Sequence, residues 1–77
     1  MGWKSLEGLL SEYKCTHIDD GTPKYYLYVD MDGNWYIAKE VLTGTETVFT
    51  FAKGYTDSLV SWAGRAALTY GYWDVVF

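Results

Sequence analysis

Three segments in the middle of the chain mix apolar and polar residues and are rich in Tyr, Val, Ile, Thr and Phe. They cover residues 24–30, 34–42 and 45–52. Aromatic and β-branched residues favour strands, and the connections between these segments are short enough to be tight turns. The pattern therefore predicts three antiparallel strands joined as a meander.

The first connection predicts the register of the first two strands. In the run Asp30-Met31-Asp32-Gly33, aspartate in the first position and glycine in the fourth suit a type I turn followed by a left-handed glycine. This geometry predicts two cross-strand pairs, Leu27 with Ile37 and Val29 with Trp35. The four apolar side chains then share one face of the sheet.

The second connection repeats the arrangement, because the run Val41-Leu42-Thr43-Gly44 again has glycine in its fourth position. The same geometry predicts two further pairs, Ile37 with Phe49 and Trp35 with Phe51. A shift of one residue would turn a whole strand over, so the agreement between the two turns favours a single core face. That predicted face consists of Leu27, Val29, Trp35, Ile37, Val41, Phe49 and Phe51.

The opposite face of the predicted sheet has more aromatic side chains than is usual for a surface exposed to water. It carries Tyr26, Tyr28, Asp30, Tyr36, Ala38, Glu40, Val48 and Thr50. Tyrosine tolerates a half-exposed position, but aromatic side chains are also enriched in protein interfaces and can stack on sugar rings. Three interpretations stay open: the N-terminal segment of the same chain covers this face, a second subunit covers it, or it binds a carbohydrate.

Helical spacing occurs before the predicted sheet. Leu6, Leu9, Leu10 and Tyr13 fall at positions i, i+3, i+4 and i+7, which predicts a short helix over residues 5–14. The turn-forming cluster DDGTP that follows predicts a loop over residues 15–23.

Helical spacing recurs after the predicted sheet, at Leu59, Trp62, Ala63, Ala66 and Tyr70. Gly71 stands where a glycine that ends a helix belongs. The tail over residues 72–77, YWDVVF, predicts a short strand or an ordered extended segment. We expect Trp73 and Phe77 to be buried in it, either against another chain or against the same domain.

These elements predict one α+β domain over residues 1–77. It is a three-stranded antiparallel meander packed against a helix, with a short N-terminal helix and an ordered C-terminal strand or extended segment. Gly33, Gly44 and Gly71 are its predicted turn residues. A chain of 77 residues builds only a small core, so we expect aromatic packing or association with other chains to supply part of its stability.

The composition disfavours nucleic-acid binding, metal binding and cofactor binding. Six Lys and Arg against ten Asp and Glu give a net charge of -4 and leave no basic patch for phosphates. Cys15 is the single cysteine, which excludes an internal disulfide, and with His17 it provides too few ligands for zinc. The run from Asp30 to Gly33 differs from a calcium loop because its glycine is fourth rather than sixth. We expect no metal and no cofactor.

Membrane insertion, secretion and catalysis are disfavoured as well. No apolar run approaches the ~18 residues of a membrane span, and the first residues lack the apolar region of a secretion signal. Cys15 and His17 have no glycine-rich oxyanion loop nearby in the sequence. We therefore expect no catalytic residues and no enzyme activity.

Two stretches resemble small uncharacterised proteins encoded among the virion genes of tailed bacteriophages. One is YVDMDGNWYI, residues 28–37, and the other is WAGRAALTY, residues 62–70, together with the final VVF. The resemblance implies a non-enzymatic role in assembly, in the virion or the host cytoplasm. Its implied partners are proteins, either further copies of this chain or larger virion proteins.

The sequence thus predicts a small structural or interaction protein that acts through an aromatic-rich surface. The candidate interface residues are Tyr26, Tyr28, Tyr36, Arg65, Trp73 and Phe77. Arg65 is the only arginine; it is either an ordinary exposed cation or a partner for a carboxylate such as Asp74 or for a neighbouring subunit. Two other functions stay open: an acidic inhibitor that blocks a basic surface of a host protein, and a carbohydrate-binding module.

Overall fold

The computed structural model describes residues 12–77, which form a four-stranded antiparallel sheet followed by short helices. The strands lie in the order in which they occur along the chain: β1 (Lys14–Asp19), β2 (Lys24–Val29), β3 (Trp35–Thr43) and β4 (Glu46–Gly54). The helices are α1 (Ser58–Ala63), a 3₁₀ helix (Arg65–Ala67) and α2 (Trp73–Val76). The sheet is a meander, but the prediction of three strands is wrong by one.

Strand β1 takes the place of the loop predicted over residues 15–23. All its residues except Asp19 are exposed, so it has no alternation of buried and exposed positions. It pairs with β2, and a bulge interrupts the pairing between Cys15 and His17. An edge strand held by backbone hydrogen bonds needs no buried face of its own, which is why hydrophobic periodicity does not reveal it.

The β2–β3 hairpin has the predicted register. Both predicted pairs are present, Leu27 with Ile37 and Val29 with Trp35. Gly33 has a φ of 87°, in the left-handed region where glycine is favoured. The turn closes with a hydrogen bond from the Gly33 N–H to the backbone carbonyl of Asp30 (3.3 Å). The prediction from the first glycine turn is confirmed.

The β3–β4 hairpin corrects the second predicted register, because Ile37 pairs with Ala52 and not with Phe49. The turn has two central residues, Gly44 and Thr45, where three were predicted. Gly44 has a φ of 62°, the sign that a type II′ turn requires at its first central position. The strand is displaced by three residues, an odd number, so both phenylalanines of β4 lie on the opposite face from the predicted one.

The buried core lies between the sheet and the segment that follows β4. It consists of Tyr25, Leu27, Trp35, Ile37 and Ala52, with Val29, Trp62, Leu68 and Tyr70 partly buried against it. The Trp35 indole lies across Gly54, where a Cβ atom would collide with the ring. Its Nε1 donates a hydrogen bond to the carbonyl of Thr56 (2.8 Å). Small residues on this face of β4 therefore make room for the large ring of β3.

The helices are shorter than predicted. The helix expected across residues 59–70 ends at Ala63, where the Gly64 N–H donates to the carbonyl of Val60 (3.1 Å). The tail expected to be a strand or extended segment forms α2 instead. The helix predicted over residues 5–14 lies largely outside the described residues, and Lys14 belongs to β1.

Gly71 does not end a helix, as was predicted, but carries the chain along the free edge of β4. Its N–H donates to the carbonyl of Phe51 (2.9 Å), and the Phe51 N–H donates to the carbonyl of Gly71 (2.7 Å). Tyr70, before this bridge, packs against the core face, whereas α2, after it, packs against the other face. We call that other face the tyrosine face; its members are Cys15, Ile18, Lys24, Tyr26, Tyr28, Tyr36, Ala38, Glu40, Leu42, Thr47, Phe49, Phe51 and Lys53.

Candidate interaction site

An aromatic cluster covers one end of the tyrosine face, with the buried ring of Tyr36 at its centre. Tyr28 stacks on this ring, with centroids 4.6 Å apart and planes 12° from parallel. Tyr13 and Phe77 meet it edge-on, at 5.1 and 5.4 Å. Offset-stacked and edge-on arrangements are the ones that aromatic quadrupoles favour. This end of the face is therefore closed by residues of the same chain.

The C-terminal segment docks on β4 within that cluster. The ring of Trp73 lies 5.0 Å from Phe51 and 4.4 Å from Phe77, and the ammonium of Lys53 lies 5.2 Å from the Phe77 ring. Both tail aromatics are partly buried by these contacts. Of the two alternatives for the tail, the structure shows packing against its own domain.

Two tyrosine phenols on this face resist ionisation, for different reasons. Burial, followed by the neighbouring Tyr28, raises the pKa of Tyr36 to about 12. The Tyr26 hydroxyl donates a hydrogen bond to Glu40 Oε1 (2.7 Å), and this bond to a carboxylate is the main reason that the pKa of Tyr26 rises to about 12. Both phenols are neutral donors at physiological pH.

Arg65 joins the helical segment to β1 and does not pair with Asp74. Its Nη2 and Nε donate to Asp19 Oδ2 at 2.7 and 3.2 Å, and its Nη1 donates to the carbonyl of Trp62 (2.8 Å). The guanidinium also lies 4.3 Å from the Trp62 ring centroid. The hydrogen bond from Arg65, and then that from the Gly21 N–H, lowers the pKa of Asp19. This half-buried arginine has a structural role in the fold.

The aspartate of the β2–β3 turn stabilises the turn and is not arranged as a metal ligand. Asp30 Oδ1 accepts hydrogen bonds from the N–H groups of Asp32 and Asn34, both at 2.9 Å. Its Oδ2 accepts one from Asn34 Nδ2 (2.9 Å), and this bond is the main reason that the pKa of Asp30 is lowered. Within residues 12–77, no three His, Cys, Asp or Glu side chains are grouped so that they could hold a metal ion.

The other end of the tyrosine face carries apolar side chains exposed to solvent. We call Ile18, Leu42 and Phe49 the exposed strip; they are 58%, 71% and 45% exposed. Glu40 lies opposite Phe49 of β4 and opposite Lys24 of β2, so this end of the face carries a carboxylate and an ammonium beside the apolar side chains. The strip was missed because β1 was predicted as a loop and Phe49 was assigned to the core.

A second exposed apolar surface lies where β4 leads into α1. We call Met31, Tyr55, Leu59 and Val60 the apolar end; each is at least 62% exposed. A Cβ atom at Gly33 would lie 3.9 Å from the Tyr55 carbonyl, which places the β2–β3 turn beside this segment. The sequence carries a partial signal, since Leu59 and Val60 are adjacent and only one of them can lie at the centre of the face that packs on the sheet.

Each of the six candidate interface residues contacts another residue of the same chain. The aromatic contacts involve Tyr28, Tyr36, Trp73 and Phe77, and the polar ones involve Tyr26 and Arg65. The structure brings the four residues with aromatic contacts together in one cluster. It places Arg65 on the other side of the sheet, beside Tyr25 of the core face. Their role in binding a partner stays a prediction.

Two further findings bear on function. In the part of the chain that the structure describes, no helix is long and apolar enough to cross a membrane. Comparisons of the chain with protein-family models, curated proteins and solved structures find no match.

Proposed function

We propose that this chain is a non-enzymatic interaction protein that serves as a component of a tailed-phage particle or of its assembly. The observation that carries the proposal is the apolar end, where four large side chains stay exposed beside a folded sheet. The resemblance of residues 28–37 and 62–70 to proteins of phage virion genes supplies the context. The proposed partner is a larger protein of the particle.

Burial of the apolar end provides the driving force for docking. Met31, Tyr55, Leu59 and Val60 are between 62% and 101% exposed, although Trp62 of the same helical segment packs on the core. Fully burying one large apolar side chain contributes about 1.5–3 kcal/mol. Two or three such side chains at the centre of an interface are the usual size of an energetic hot spot.

Charge around the apolar end indicates the chemistry of the partner. Asp32 follows Met31, Asp57 precedes α1, and both aspartates are exposed. A partner with an apolar depression and basic residues at its rim would be complementary in shape and charge. The same acidic rim supports the alternative function, in which the protein inhibits a host protein by occupying a basic surface.

The carbohydrate-binding alternative receives less support from the geometry. A sugar-binding platform needs an exposed aromatic face, but Tyr28 and Tyr36 stack on each other and Tyr36 is buried. The Tyr26 hydroxyl is already bonded to Glu40.

Detection of the protein in purified particles of the phage that encodes it tests the proposal. We expect the protein in the particles, and we expect the double variant Leu59→Ser, Val60→Ser to be incorporated at least tenfold less. The matched control is Val75→Ser, which changes a 76% exposed apolar residue of α2 and should be incorporated normally. Absence of the wild-type protein from particles, with expression early in infection, would overturn the proposal in favour of the inhibitor.

A further inference from the structure

We propose that two copies of this chain pair antiparallel through the outer edge of β1, so that their sheets join into one. β1 is the first strand of the sheet and pairs on one side only, with β2. At the opposite edge, the Gly71 bridge adds backbone hydrogen bonds to β4. Within residues 12–77, no such pairing reaches the outer side of β1. An edge of this kind offers backbone N–H and C=O groups to another strand.

The helical segment contacts β1 without covering it. The ring of His17 lies 5.7 Å from the ring of Trp62, and Asp19 accepts from the Arg65 guanidinium at 2.7 Å. Both contacts are made on the core face of the sheet. Every residue of β1 before Asp19 is nevertheless exposed, so the strand is accessible to a second chain.

The sequence of β1, KCTHID, is complementary to itself when two copies run in opposite directions. An alignment centred between its third and fourth residues pairs an ammonium with a carboxylate, two apolar side chains, and two polar ones. The pairs are Lys14 with Asp19, Cys15 with Ile18, and Thr16 with His17. Each pair occurs twice about the two-fold axis, as an interface between identical chains requires. Cross-strand pairs of opposite charge stabilise a sheet.

The bulge in β1 selects a second copy over an ordinary extended peptide. Thr16 is the extra residue of the bulge, and it lines a cavity with Lys14 and Val29, so it lies on the core face beside His17. The side chains of β1 therefore follow the order core, tyrosine, core, core, tyrosine, core, which is the same in both directions. Each aligned pair then shares one face of the joined sheet. A regular strand alternates strictly and cannot match this order.

The charges around both ends of β1 also favour the antiparallel alignment. The end at Lys14 is the more acidic one, because three carboxylates line a cavity with this lysine: those of Glu12, Asp30 and Asp32. The end at Asp19 carries two cations, Arg65 and Lys24, the latter 3.7 Å from Asp20. Antiparallel pairing brings the acidic end of one copy to the end with two cations of the other. Parallel pairing would bring the two acidic ends together.

The small size of the interface determines the concentration at which the copies pair. Six residues a side is well below the roughly 20–30 of a standard interface, so we expect a dissociation constant of about 0.1–1 mM. The chain is then a monomer at the low micromolar concentrations of a denaturation experiment, and the dimer forms where many copies are brought together.

Disulfide trapping in the full chain tests the alignment. In the Ile18→Cys variant, which keeps Cys15, the introduced cysteine of one copy should lie opposite Cys15 of the other, close to disulfide distance. Mild oxidation near the dissociation constant should therefore give a dimer linked between these two positions. The matched control is Leu42→Cys, equally exposed on the tyrosine face but in β3, which should give at least tenfold less. Equal yields, or a link between identical positions of the two copies, would overturn the proposal.

Sedimentation equilibrium and amide hydrogen exchange test the pairing in the unmodified chain. We expect a monomer–dimer equilibrium, with β1 amides that exchange more slowly as the concentration rises. Lys14→Glu should weaken the dimer at least about fivefold, because it places like charges opposite each other twice. Lys53→Glu, the same charge change on β4, should not. A monomer at all concentrations, protection confined to another surface, or β1 protection that is independent of concentration would each overturn the proposal.

Discussion

Replacing Trp73 by alanine tests whether the C-terminal segment belongs to the fold. Its ring lies 5.0 Å from Phe51, 6.5 Å from Tyr36 and 4.4 Å from Phe77. Truncating a core tryptophan costs about 3–5 kcal/mol, and each aromatic pair contributes about 0.5–1.5 kcal/mol beyond burial. Trp73 is only partly buried, so we expect the free energy of unfolding to fall by about 2 kcal/mol.

Urea denaturation followed by circular dichroism measures this change. For a domain of this size, a loss of about 2 kcal/mol also lowers the melting temperature by about 8–16 °C. The matched control is Val75→Ala, which removes a 76% exposed side chain from the same helix. The control should change the free energy of unfolding by less than about 0.5 kcal/mol.

A Trp73→Ala variant as stable as the wild type would refute the docking of α2 on the tyrosine face. A different failure would be a wild-type midpoint that rises with protein concentration. Mass action requires that dependence where the ring is buried between chains rather than within one. The two results therefore separate an undocked tail from one that docks on another molecule.

Three further predictions concern the Arg65–Asp19 pair, the β3–β4 turn and the Tyr26 phenol. Because Arg65 lowers the pKa of Asp19, the ion pair stabilises the fold at a pH above the pKa of an unfolded aspartate, and this stabilisation is lost as the pH falls. Asp19→Asn should therefore flatten the loss of stability below about pH 4, measured by urea midpoints. Gly44→Ala should lower the free energy of unfolding by about 1 kcal/mol in thermal melts, because a φ of 62° strains a side chain. Glu40→Gln should lower the pKa of the Tyr26 phenol from about 12 towards 10.0, followed by ultraviolet absorbance. In the wild type, the stability that the Tyr26–Glu40 hydrogen bond supplies is lost as the pH rises across that range.

Each of these predictions has a control in the same chain. Asp20→Asn changes a neighbouring carboxylate whose side chain is 81% exposed, and it should keep the wild-type pH dependence. Gly64→Ala changes a glycine with a φ of -96° and should cost less than Gly44→Ala. Glu46→Gln changes an exposed carboxylate of β4 and should leave the phenol titration unchanged. A control that behaves like its variant contradicts the corresponding prediction.

The two hairpins show what a turn sequence can and cannot predict. In the β2–β3 turn, Asp30 accepts two backbone hydrogen bonds through one oxygen, so its side chain selects the turn type that glycine allows. The corresponding position of the β3–β4 turn is Val41, whose side chain has no hydrogen-bond acceptor. Gly44 then fits a two-residue turn as well as a three-residue one, and the glycine alone does not predict the register.

Strand β1 marks a second limit of sequence reasoning. It is held by backbone pairing with β2 and by the ion pair of Asp19 with Arg65, 46 residues away. Neither interaction leaves a periodic pattern in the sequence of β1, and the mostly exposed side chains resemble those of a loop. The exposed strip could not be predicted without β1, because Ile18 of the strip is a residue of that strand.

The sizes of the side chains on β4 would have predicted the β3–β4 register, which the turn sequence did not predict. Trp35 needs space on the neighbouring strand, and the observed pairing places Gly54 beneath its indole ring. The predicted pairing would have placed Phe51 there, with two large rings competing for the layer that Trp62 also enters. The observed register moves Phe51 to the other face, where it provides the surface on which Trp73 docks. One odd shift in register therefore determines both how the core closes and where the C-terminal segment can bind.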